Sequence, residues 1–169
     1  NYLLHNLFSS LGLAIFLISL FIALLFSSSR MVMISLIPNL IPLVITAAIM
    51  GYGGIPIKAS TILVFSVAFG ISVDSTIHFL SKYRLELKLT GWDIRRSVVY
   101  ALRETGVSMI YTAAVLFFGF GIFALSSFGG TKAMGVLVSL TLLVAVISNL
   151  MLLPSLLSGM EKLTQKESF

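Results

Sequence analysis

Five runs of about 20 residues that are nearly free of charge constrain this chain more than any other feature. They lie at about 7–26, 32–50, 60–80, 107–125 and 133–153. A helix of roughly 20 apolar residues covers the ~30 Å hydrocarbon core of a bilayer. Within lipid it satisfies its own backbone hydrogen bonds, which an open strand cannot do. The expected fold class is therefore all-α, a polytopic membrane helix bundle of about five transmembrane helices with the lipid bilayer as its solvent. Composition agrees. Of the 169 residues 58% are hydrophobic and 10% charged, against about 25% charged in an ordinary soluble domain. The absence of Cys excludes disulfides and thiolate metal sites.

Connections between the runs carry the polar residues. Pro38 and Pro42 interrupt the second run, and Gly51, Gly53, Gly54 and Pro56 end it. Residues 81–106 form the one long polar connection, with Lys82, Arg84, Glu86, Lys88, Asp93, Arg95, Arg96, Arg103 and Glu104. Leu85, Leu89, Ile94, Val98 and Leu102 recur through it near helical spacing. This pattern predicts an amphipathic segment along the cytoplasmic membrane surface, broken at Gly91 and Trp92. A polar tail occupies 158–169. With Asn1 outside, the inner connections and tail hold Arg30, Lys82, Arg84, Lys88, Arg95, Arg96, Arg103, Lys162 and Lys166, and the outer ones hold Lys58 and Lys132. The positive-inside rule then puts the C-terminus in the cytoplasm. The net charge of +5 is a topology signal that requires no nucleic-acid partner. No Met, charged leader or cleavage site precedes the first run, so the expectation is a piece of a longer chain without a signal peptide.

Of the six acidic residues Asp74 alone falls inside a span. Asp at the centre of a transmembrane helix costs about 2.5–3.5 kcal/mol on insertion scales, so it calls for a partner, a cavity or a function. One reading is a purely structural interhelical hydrogen bond. The other, the default for an intramembrane ionisable group, is a functional carboxylate. Ser66, Gly70, Asp74 and His78 are spaced by four and share one helix face. Gly70 leaves room for another backbone to pack beside the carboxylate. His78, a turn nearer the cytoplasm, is either a proton relay to the inner water or an interfacial anchor of the helix end. Asp74 stands about 9 Å from the inner end of its helix at a rise of about 1.5 Å per residue. Asn39, Tyr111, Thr112 and Asn149 fall at similar depth on three other helices, which predicts a polar network joining Asn39, Asp74, Thr112 and Asn149. Pro38 and Pro42 flank Asn39, and each deprives a carbonyl one turn earlier of its usual partner. The freed carbonyls serve polar neighbours or water, or the prolines make only a structural kink.

These residues carry a resemblance. Phe69 to Leu80 (FGISVDSTIHFL), followed by Tyr83 and Arg84, resembles the GxxxD helix of the resistance-nodulation-division (RND) superfamily. Ile37 to Leu43 (IPNLIPL), Thr105 and Gly106 leading to Thr112, Gly119 with Phe120, and Leu152, Leu153 and Pro154 match in the same order. The branch most similar is the MMPL-like lipid exporters, with Patched and the sterol-sensing domain proteins further off. The resemblance implies two repeated halves of six helices, each with a large extracytoplasmic domain after its first helix. This chain would be the last five helices of one half, in the cell (inner) membrane, its tail fitting the second half. Its partners would be the missing N-terminal half and extracytoplasmic domains of the same chain, with a homo-oligomer left open. Asp74 would face a mirrored helix, where proton binding and release drive the outer domains. Ser75 departs from the family, because many members carry a second acid or a tyrosine there, as does Asn149, where many carry an acid.

The leading function is thus a proton-motive-force-driven exporter of hydrophobic or lipid-like molecules with Asp74 as its coupling residue. The alternatives are a sterol-sensing-like regulatory or structural module without transport, and a secretion accessory like SecD and SecF, whose corresponding helix lacks the Thr76 to His78 run. An enzyme is not expected, since an intramembrane aspartyl protease needs a second membrane Asp and a serine protease a supported Ser and His pair. Without a phosphate loop or metal-ligand cluster, no cofactor besides the coupling proton is expected, nor an ATP-driven pump. The orientation is testable in intact cells. Cysteines placed at Gly53 and Gly129 are expected to react with an impermeant thiol reagent from outside, and one at Gly91 to be protected; labelling at Gly91 reverses the topology.

Overall fold

The computed structural model describes residues 2–26, 29–56 and 58–166. Its elements are α1 (Tyr2–Phe26), α2 (Ser29–Tyr52), α3 (Ala59–Leu89), α4 (Ile94–Gly121), a 3-10 turn (Ile122–Leu125) and α5 (Gly129–Lys166). No strand occurs among the described residues, and the chain folds as an all-α polytopic bundle. Among the described residues four stretches are long and apolar enough to cross a bilayer: Met31–Tyr52, Ser60–Leu89, Ile94–Leu125 and Gly129–Gly159. The first expected span falls in α1, where the apolar stretch among the described residues is Ile15–Leu24. Asn1 and residues 167–169 of the expected tail lie outside the described residues.

The connection at 81–106 differs from the expected surface segment. Instead α3 continues to Leu89 and α4 begins at Ile94, so the two ends form a helical hairpin. The reason lies in packing. Tyr83, Leu87, Val98 and Ala101 are buried together with Phe79, Leu80, Leu153 and Leu157. Part of the apolar repeat is thus used against α5, while Leu85 and Leu89 stay exposed. The reversal occurs at the expected Gly91 and Trp92. Gly91 takes a left-handed φ of +66°, and the Trp92 amide donates to the Leu87 carbonyl at 2.8 Å, a Schellman closure of α3. Asp93 then caps α4 by accepting from the Arg96 amide at 2.9 Å.

Helix α5 is the axis of the bundle and packs on α2, α3, α4 and the 3-10 turn, whereas α1 touches α2 and α3. Half of the apolar window of α5 is buried, but only 6% of that of α4, so α4 is a peripheral helix with one face on the bundle. At its C-terminal end α4 tightens into the 3-10 turn and meets α5 at Gly135. A Cβ at that position would stand 2.7 Å from Phe123 Cβ and 2.8 Å from the Phe120 carbonyl oxygen, closer than packed atoms allow. Gly135→Ala is therefore expected to lower stability by about 1–3 kcal/mol through overpacking. Gly119→Ala, whose Cβ meets nothing within 4 Å, should leave stability unchanged or raise it by up to about 1 kcal/mol through helix propensity. Thermal unfolding of both variants in lipid nanodiscs checks the contrast.

Candidate functional site

Two polar constellations lie on opposite sides of α3. The first is buried between α2, α3 and α5. Asn39 Oδ1 accepts from Ser72 Oγ at 2.5 Å and from Thr76 Oγ1 at 3.1 Å. The Asn39 amide donates within its own helix to the Ser35 carbonyl at 2.6 Å. From α5 the Asn149 amide donates to the Ser72 carbonyl at 3.1 Å and reaches Ser72 Oγ at 3.3 Å. Ser72 therefore joins the two asparagines, both 1% exposed. Proline chemistry adds another bond. Pro42 cannot donate to the Pro38 carbonyl one turn earlier, and that carbonyl instead accepts from Ser148 Oγ at 2.9 Å. One turn after Pro42, Thr46 and Thr141 pair at 2.5 Å.

The second constellation is an open recess of about 350 Å³ between α3 and α4, lined by Asp74, Ser75, His78, Glu104, Thr105, Ser108, Met109 and Thr112. His78 Nε2 stands 3.6 Å from Asp74 Oδ1, with the side chains 74% and 73% exposed. That separation suits an ion pair when the imidazole is protonated and is too long for a hydrogen bond. Toward the hairpin turn Lys82 pairs with Glu86 at 3.1 Å and with Glu104 across the helices, which ties α4 to α3 where the recess begins. The recess thus combines a carboxylate, an imidazole and a second, cation-bound carboxylate, a set suited to binding and passing protons.

The structure divides the expected polar slab. It joins Asn39 and Asn149 through Ser72, but Asp74 is outside that network. Residues two apart on a helix point about 200° from each other, so Asp74 cannot share a face with Ser72 and Thr76. The expected face of Ser66, Gly70, Asp74 and His78 is exposed along its length. A Cβ on Gly70 would meet nothing within 4 Å, so the helix it makes room for is not one of this chain's described helices. Thr112 lines the recess, and Tyr111 points outward at 70% exposure. Among the described residues no group of three or more His, Asp or Glu is arranged to hold a metal.

With that geometry in view, comparison with known proteins places the chain. The model of the MMPL family matches residues 4–163. The chain belongs to the MMPL family. It is similar to a membrane protein of Methanocaldococcus jannaschii, 29% identical over 122 residues that make up 72% of this chain and 31% of that one. It is also similar to the membrane protein ActII-3 of Streptomyces coelicolor, 28% identical over 105 residues, 62% of this chain and 15% of that one. The chain thus spans less than a third of the length of these relatives. No solved structure matches it.

Ser72, Thr76 and Glu104 are among the residues of the two constellations that the sequence of this MMPL-family chain does not single out. Ser72 and Thr76 are spaced by four, the signal of a shared face, but Ser and Thr are too common in membrane helices to stand out. Glu104 reads as part of a solvated polar segment and becomes a recess residue only because α3 and α4 form a hairpin. Removing Asn39 separates the two constellations experimentally. Interhelical hydrogen bonds in membranes are worth about 0.6 kcal/mol on average and up to about 1.7. Asn39→Ala, which loses two of them, is expected to destabilise the bundle by about 1–3 kcal/mol, and Tyr111→Ala by less than about 0.5 kcal/mol. Chemical unfolding in mixed micelles reads the difference.

Proposed function

We propose that this chain is the transmembrane part of an exporter of hydrophobic or lipid-like molecules that is driven by the proton-motive force. Asp74 is its proton-coupling residue and His78 the relay on the cytoplasmic side. The observation that carries this reading is the pairing of Asp74, the one carboxylate in the apolar part of any span, with His78 at 3.6 Å in an open recess. A carboxylate facing lipid alone would gain nothing there. One that shares a recess with an imidazole, four hydroxyl-bearing neighbours and Glu104 can exchange protons with inner water.

The rest of the longer protein is proposed to cover the face of Gly70, Asp74 and His78, so that Asp74 is dehydrated in one arrangement of the helices and hydrated in another. The neutral form favours the dry arrangement and the charged form the wet one, so proton uptake and release bias the two. The membrane is proposed to be the inner membrane, with the C-terminus in the cytoplasm. No chemical step on the cargo is part of the cycle. The buried asparagine network holds the helix carrying Asp74 at fixed rotation, and the recess does the proton chemistry.

In the full-length protein Asp74→Asn, which keeps the shape and cannot ionise, is expected to abolish transport with expression and folding nearly intact. His78→Ala should slow transport by a smaller factor, because water can replace a relay at the inner end. Transport of a hydrophobic substrate from cells or vesicles measures both. An Asp74→Asn protein that exports at the normal rate removes proton coupling from this half.

A further inference from the structure

A small cavity of about 20 Å³ adjoins the recess between α3, α4 and α5, and the polar part of its wall is Ser72, Ser75, Thr112 and Asn149. The orientation of the Asn149 amide is determined. A backbone carbonyl only accepts, so the Asn149 group facing the Ser72 carbonyl at 3.1 Å is Nδ2, and Oδ1 is turned the other way. Oδ1 is fully buried, and no donor among the described residues reaches it. Buried acceptors without donors are exceptions in folded proteins. A single water needs about 10–15 Å³ and two to four polar partners. This cavity offers both. Its remaining wall, Ile71, Met109, Ala113, Leu142, Ala145 and Val146, bears no charge, which favours a neutral donor over a cation.

We infer that this cavity binds one water molecule, which donates a hydrogen bond to Asn149 Oδ1. Its second hydrogen goes to Ser75 Oγ, whose own proton is committed to the Ile71 carbonyl at 3.1 Å, and the Thr112 hydroxyl donates to it. Ser75, Met109 and Thr112 line both the cavity and the recess. The water therefore continues the recess inward and extends the Asn39, Ser72 and Asn149 network to α4. The site stands on Asn149 and the cavity, whether or not Asp74 cycles a proton.

Radiolytic hydroxyl labelling of the full-length protein in lipid nanodiscs tests this, because a trapped water delivers radicals to the side chains around it. Met109 and Met50 are equally buried at 5% exposure, but Met50 sits in a wholly apolar cluster. Met109 is expected to oxidise several-fold faster than Met50. Ala145→Val, which fills the cavity and leaves Asn149 and the recess in place, should bring Met109 down to the rate of Met50. Thr112→Val, which keeps the shape and removes a hydroxyl, should lower it as well and serves if the first variant fails to fold. Equal rates for the two methionines in the parent protein overturn the site. So does a Met109 rate that neither variant changes, since the radicals then come from the recess.

Discussion

Apolar contact between helices gains little when the alternative is an acyl chain of equal apolarity, so in a lipid-solvated bundle the few buried hydrogen bonds decide how helices are rotated. Here Ser72 is the pivot. It donates to Asn39 on α2, and its carbonyl and hydroxyl both receive Asn149 from α5. A different rotation of α3 would leave Asn39 Oδ1 without its donors and the Asn149 amide without its acceptor in a medium that supplies none. The Pro42 defect in α2 is absorbed in the same way, because Ser148 on α5 satisfies the carbonyl that the proline leaves open.

That rotation has a consequence for chemistry. With Ser72 and Thr76 directed into the bundle, Asp74 and His78 must point away from α2 and α5. The inward pair builds structure and the outward pair lines the open recess. Their separation by helix geometry lets the protein keep a rigid polar core while presenting an ionisable group on an uncovered face. Exposure of Asp74 is thus the direct result of burying its neighbours.

Helix α4 completes the arrangement. Its packing on the bundle rests on the close approach at Gly135, the Ser139 hydroxyl that donates to the Phe117 carbonyl at 3.1 Å, and the Lys82 to Glu104 ion pair. Between these ties α3 and α4 part enough to leave the recess. A second MMPL-family element lying along α3 would find Gly70 beside the carboxylate with nothing in its way.

The membrane class, the all-helical bundle and the break at Gly91 and Trp92 were legible in the residues, because each follows from hydropathy or from a local backbone preference. The residues that resemble the MMPL branch were legible as well. Which face of α3 turns inward was not. Two faces of that helix carry polar groups at the same depth, and the choice between them depends on where Asn39 and Asn149 arrive from helices distant in sequence. The fate of 81–106 was equally undecided, since an apolar repeat of that kind packs on lipid or on another helix with the same pattern. Only the position of α5, with Leu153 and Leu157 waiting against α3 and α4, turned that repeat into a hairpin and brought Glu104 to the recess.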